Sequence, residues 1–250
     1  MFFFDANCSI GMRSIITKNS FYNVDILLKE MEKCNIKNAM VYSILAEEYH
    51  PIVGNERLIR DIKKYKALNP VWVILPHHTR EFYDPSELIA KMKINNIKMV
   101  WVFPNKDSHN YCLSDWSCGE LLNILDKNKI PLIIGMDQVG YDIIFNIAKK
   151  YSKIPLILSN VGYRADRFLY PLLEKYDNIY IETSSYKVNF GIEAICQFFG
   201  AKRLIFGTGL PVYCAGSAIT MITHAMIKNK QKIQIAKENI ERILKEVEYE

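Results

Sequence analysis

Residues 155–163 read Pro155-Leu156-Ile157-Leu158-Ser159-Asn160-Val161-Gly162-Tyr163. A short apolar run without polar alternation fits a strand covered on both faces, as in parallel sheets flanked by helices. The run closes on a polar pair and a glycine, the residues with which a chain leaves a strand for a loop. The same grammar recurs at Leu132-Ile133-Ile134. Working outward gives eight strands: Phe2 to Asp5, Ala39 to Ser43, Val71 to Leu75, Met99 to Phe103, Pro131 to Ile134, Pro155 to Ser159, Ile179 to Glu182 and Arg203 to Phe206. Eight is the number at which a sheet closes with side chains filling its interior.

Between the strands lie stretches with helical spacing. Val24, Leu27, Leu28 and Met31 form one apolar face, and Leu58, Ile59 and Ile62 begin another. Asp84-Pro85-Ser86-Glu87 reads as a helix start with proline in the first turn, and Ile233 to Val247 as a long amphipathic closing helix. Alternating strands and helices over 250 residues predict a single α/β domain spanning 1–250, a (β/α)8 TIM barrel with a C-terminal closing helix.

The formal charge of +5 is spread along the chain, as at Lys63-Lys64, Lys149-Lys150 and Lys228 to Lys232. Nucleic-acid binding requires a clustered basic face and a recognisable motif, so no nucleic-acid partner is expected. The apolar start Met1 to Phe4 meets Asp5 at once, too short for a signal core or a membrane span, and predicts a cytoplasmic protein with no membrane partner. Six cysteines, Cys8, Cys34, Cys112, Cys118, Cys196 and Cys214, show no paired spacing and are expected to be free thiols.

In such a barrel the working residues sit at the C-terminal ends of the strands and in the loops that follow. The rule selects Asp5, Asn7 and Ser9 after the first strand and His77-His78 after the third. It adds Phe103 to Asn105 after the fourth, Asp137 after the fifth, and Asn160, Tyr163 and Arg164 after the sixth. Glu182-Thr183 follow the seventh, and Thr208-Gly209 the eighth. Asp5, His77, His78 and Glu182 are the candidate catalytic groups. Asn7, Ser9, Asp137, Asn160, Tyr163, Arg164 and Thr208 are the candidate substrate-binding groups. A structural role competes at each: Asp5 caps a loop, one of two adjacent histidines faces away, and Glu182 pairs with Arg164. Cys8 alternates with Asn7 and Ser9 and is expected to point toward the helices.

Four segments resemble the amidohydrolase-related (amidohydrolase 2) family of the metal-dependent hydrolase superfamily. Phe4 to Gly11 (FDANCSIG) is similar to its opening Asp, His-x-His and Gly, with Asn7 and Ser9 at the histidine positions. PLILSNVGY resembles its sixth-strand segment with Asn160 for the histidine, and Arg203 to Pro211 (RLIFGTGLP) its eighth, with Gly209 for the metal-binding aspartate. Lys237 to Leu244 resembles the closing helix. The resemblance implies a hydrolase or lyase site at the barrel mouth. The replacements imply that the metal site is degenerate, since amides, a hydroxyl and glycine replace imidazole and carboxylate poorly. No metal and no other cofactor are therefore expected.

Two readings stay open. In one, the chain acts on a small polar metabolite, anions included, by metal-independent hydrolysis or lyase chemistry, with Arg164 adding affinity for negative charge. In the other, it is a catalytically inactive barrel that binds a metabolite or a protein. Substrate and oligomeric state are left undetermined by the sequence, a homo-oligomer being compatible with it.

Overall fold

Eight strand positions follow one another around a ring in the computed structural model, which describes residues 1–16 and 21–249. They are β1 (Phe3–Met12), β2 (Ile36–Ser43), β3 in two pieces (Leu68–Pro70 and Trp72–Val73), β4 (Val100–Val102), β5 (Leu132–Gly135), β6 (Leu156–Ser159), β7 (Ile179–Glu182) and β8 (Leu204–Ile205). All pairings around the ring are parallel.

Two seams complete it. The first piece of β3 pairs with β2 and the second with β4. Val71 N donates to Val41 O (2.8 Å) on one side, and Trp72 N donates to Met99 O (3.3 Å) on the other. At the second seam β8 is short, but its chain continues alongside β1: Ala6 N donates to Phe206 O (2.9 Å), Gly209 N to Asn7 O (2.9 Å) and Ser9 N to Leu210 O (2.8 Å). The molecule is thus a (β/α)8 TIM barrel.

Two apolar layers hold it. Phe4, Ala6, Met40, Val73, Ile133, Ile157 and Ile205 fill the interior, and Ile240, Ile243 and Leu244 join them from the C-terminal helix. The alternate strand residues, among them Cys8, Val41, Leu158 and Ile181, pack outward against helices. The helix Pro85–Ile94 begins as the sequence predicts, with Asp84 Oδ1 accepting from Ser86 N (3.0 Å) and Glu87 N (2.9 Å).

Three departures from the sequence reading have local causes. β1 runs on to Met12, where Gly11 and Met12 pair antiparallel with Tyr22 and Phe21. Within β1, Asp5 lies opposite Ala39 but Cys8 opposite Val41, so one extra residue is accommodated by a bulge. The closing segment is not one α-helix: Gln234–Glu238 is a π-turn between the helices Asn229–Ile233 and Asn239–Lys245. The Ile235 carbonyl accepts Phe206 N (3.2 Å), a bond from the barrel that competes with regular helix bonding.

Candidate active site

The β1 bulge decides what faces the barrel axis. Simple alternation would group Asp5 with Asn7 and Ser9. With an extra residue between, Phe4 and Ala6 join the interior core, Asp5 turns outward on the same side as Cys8, and Asn7 and Ser9 turn inward.

Asp5 is fully buried. Its Oδ1 accepts from Asn7 N (3.0 Å) and Thr208 N (2.9 Å), and its Oδ2 accepts from Cys8 Sγ (3.0 Å) and the Thr208 hydroxyl. Burial pushes its carboxyl up to about 6 despite these donors. The same burial and the neighbouring carboxylate hold the Cys8 thiol well above its ordinary range.

Glu182, also fully buried, is the second such centre. Oε1 accepts from Ser184 N (2.6 Å), and Oε2 accepts from Asn7 Nδ2 (2.8 Å), Ser159 Oγ (2.7 Å) and Ser184 Oγ (2.8 Å). Desolvation raises its pKa against those four bonds. Gly207 makes the space, since a Cβ there would lie 2.2 Å from Glu182 Oε1. Asn7 joins the two centres: its backbone N–H serves Asp5, and its amide nitrogen serves both Glu182 and Ser159 Oγ (3.1 Å).

Above Glu182 and Ser159 the mouth opens into a cavity of about 430 Å³. Asn7, Ser9, Asp137 and Asn160 line it, joined by Arg13, Glu47 and Gln138. Asn160 Nδ2 donates to Asp137 Oδ1 (2.9 Å) and Gln138 Nε2 to its Oδ2 (3.0 Å). The carboxylate folds back over Gly135, where a Cβ would come within 2.3 Å of Oδ1. On the opposite side Trp101 and Phe103 stack (5.0 Å between centroids, 12° between planes) with Tyr42 against both. Arg13 reaches Glu47 Oε1 (3.4 Å), Glu48 Oε1 (3.3 Å) and the Tyr42 hydroxyl (3.5 Å). Burial raises the Glu47 pKa, with Arg13 and the Tyr42 hydroxyl opposing the shift.

Of the residues chosen from sequence, Asn7, Ser9, Asp137 and Asn160 meet at this cavity. Glu182 lies directly beneath Asn7, and Thr208 is buried against Asp5. His77 and His78 do not line the cavity. His77 faces Glu120 (3.4 Å), and His78 Nε2 bonds the Ser117 carbonyl oxygen (3.1 Å) on the helix Asp115–Lys127. Tyr163 and Arg164 are exposed and stack on each other, 5.1 Å from guanidinium to ring centroid. Arg164 does not pair with Glu182. The sequence reading missed Arg13, Tyr42 and Glu47. The strand-end rule, applied to β2 as to the others, reaches Glu47 in Ile44-Leu45-Ala46-Glu47-Glu48. Arg13 follows directly on the end of β1 at Met12. Among the described residues no group of three His, Cys, Asp or Glu side chains is arranged to hold a metal ion.

No family model matches the sequence, and no curated protein matches it either. Solved structures do match its fold. An uncharacterized TIM-barrel protein from Bordetella bronchiseptica superposes with a TM-score of 0.76 at 15% identity, over 98% of this chain and 99% of that one. A 2,6-dihydroxybenzoate decarboxylase from Rhizobium gives 0.74 at 13% over 98% of each chain. A 5-carboxyvanillate decarboxylase from Sphingomonas paucimobilis gives 0.75 at 10%, over 98% and 99%. At these identities the likeness establishes a shared barrel architecture.

Proposed function

We propose that this chain is an amidohydrolase-like barrel that binds a small polar molecule in the mouth cavity and acts on it by hydrolysis or lyase chemistry without a resident metal. The observation behind the chemical half is Glu47. It is a carboxylate lining the cavity, with its proton affinity raised by burial against the opposing Arg13 and Tyr42 hydroxyl. A carboxyl with a raised pKa is suited to exchanging a proton with a bound molecule. Arg13 and the Tyr42 hydroxyl hold it in place, and Asn7, Asn160 and Asp137 orient the bound molecule.

The donor set supports the metal-free half. Of the positions compared with the family's ligands, Asn7 spends its amide nitrogen on Glu182 and Ser159, and Ser9 Oγ donates to Leu210 O (3.4 Å). Asn160 is bonded to Asp137, and Gly209 offers no side chain. Asp5 and Glu182 each already accept four hydrogen bonds, leaving them poorly placed to bind a divalent ion as well. Both act here as positioning residues for Asn7. A catalytically inactive binding module is the second reading, favoured by the same saturation of the two deepest carboxylates.

Chelator-treated protein assayed against esters, lactones, amides and carboxylic acids separates these readings. Turnover that survives chelation and falls about a hundredfold or more in Glu47→Gln supports the proposal. Turnover that chelation abolishes and a divalent ion restores overturns its metal-free half. Binding at the mouth with no turnover across the panel selects the inactive module.

A further inference from the structure

We infer that the mouth cavity is built for a small organic cation, a protonated amine on a short body with an apolar face. The inference rests on the mouth being the ligand site and adds the class of ligand. It starts from Asn7, which is 8% exposed and lines the cavity. The Ser159 hydroxyl hydrogen goes to Glu182, so Ser159 Oγ acts as the acceptor from Asn7 Nδ2. Both amide hydrogens are then used, on Ser159 and on Glu182, which fixes the orientation of the amide. Among the described residues the side-chain carbonyl oxygen of Asn7 has no donor, and it is the atom left for the cavity. The floor therefore offers an acceptor and asks the ligand for an N–H or O–H.

The charges at the mouth choose between those two. The chain has 32 lysines and arginines and a net charge of +5, yet Arg13 is the one basic residue among the described residues lining the cavity. Arg13 is shared between Glu47 and Glu48. Asp137 adds a further carboxylate whose two internal donors, Asn160 and Gln138, are neutral. Among the described residues the lining sets Glu47 and Asp137 against Arg13, with buried Glu182 beneath them. The wall of Trp101, Phe103 and Tyr42 completes the match, because aromatic faces attract cations and accept the apolar part of the same molecule.

A matched trio tests this: benzylammonium, benzyl alcohol and benzoate, each titrated into the whole chain at neutral pH, with the binding position read from NMR shifts of Asn7 and Trp101. Benzylammonium is expected to bind at the mouth roughly tenfold more tightly than benzyl alcohol, with benzoate weakest. Asp137→Asn should narrow the preference for benzylammonium over benzyl alcohol by roughly tenfold, whereas a merely structural role for Asp137 would weaken both ligands alike. Benzoate binding at the mouth more tightly than benzylammonium overturns the inference and leaves the mouth as the ligand site. Failure of all three to perturb Asn7 and Trp101 at millimolar concentration overturns both.

Discussion

Asp5 shows how a buried group sets a pH response opposite in sign to that of most carboxylates. Its folded-state pKa of about 6 lies above the 3.8 of a free aspartate because burial outweighs four donors. Between those two values the folded chain holds a proton that the unfolded chain has released. The contribution of Asp5 to stability is therefore fully present below 3.8 and is lost as pH rises through about 6. Asp5→Asn removes the titration. Denaturant unfolding of both proteins from pH 4 to 7 should show the wild-type stability, measured relative to the variant, falling across that window. A flat difference, or one that rises with pH, would contradict the assignment. Glu182 is raised in the same direction, so its own contribution also declines as pH rises. The sequence marked both residues as acids at strand ends. It did not show that each would be sealed by hydrogen bonds, because the donors come from residues as distant as Thr208 to Asp5 and Asn7 to Glu182.

Among the elements, β3 is the one that depends on a neighbour. Pro70 has no N–H, and the strand divides there, its two halves serving different partners. Asn55, on the helix Pro51–Ile62, bridges the gap: its Oδ1 accepts from Val73 N (3.0 Å), and its Nδ2 donates to Val73 O (2.8 Å). Gly54 beside it lets the helix approach the segment Ile44–Glu48, since a Cβ there would fall 2.1 Å from Ala46 N. Asn55→Ala strips both partners from a buried backbone pair and should cost about 2–4 kcal/mol, read as a lowered denaturant midpoint at unchanged slope. An unchanged midpoint would mean that water or a shifted strand replaces the amide. Helical spacing identified Leu58 and Ile62 as core, and both are buried. Asn55 gives no periodic signal, because a side chain that imitates a strand partner is defined only by what lies opposite. The β1 bulge escaped for a related reason. Alternation is a property of one strand, whereas a bulge is a mismatch between two.

For the whole molecule, the repeating succession of apolar runs and amphipathic stretches was enough to read the barrel, since each strand reports its own burial. The site was legible only as far as the strand-end rule reaches. That rule brought Asn7, Ser9, Asp137 and Asn160 to one cavity. It could not tell that His77 and His78 would turn to the helix Asp115–Lys127, or that Arg13 would arrive from just past the end of β1. The uneven placement of charge has a kinetic consequence. To a distant cation the protein presents a net charge of +5, while a cation at the mouth meets Asp137 and Glu47. Beyond about 8 Å at physiological ionic strength the outer repulsion is screened, and the inner attraction is weakened less. For benzylammonium, added salt should therefore raise the association rate constant while also raising the dissociation rate constant, a pairing that stopped-flow mixing can resolve. An association rate that falls with salt would mean that the local negative field extends past the rim and governs capture from a distance.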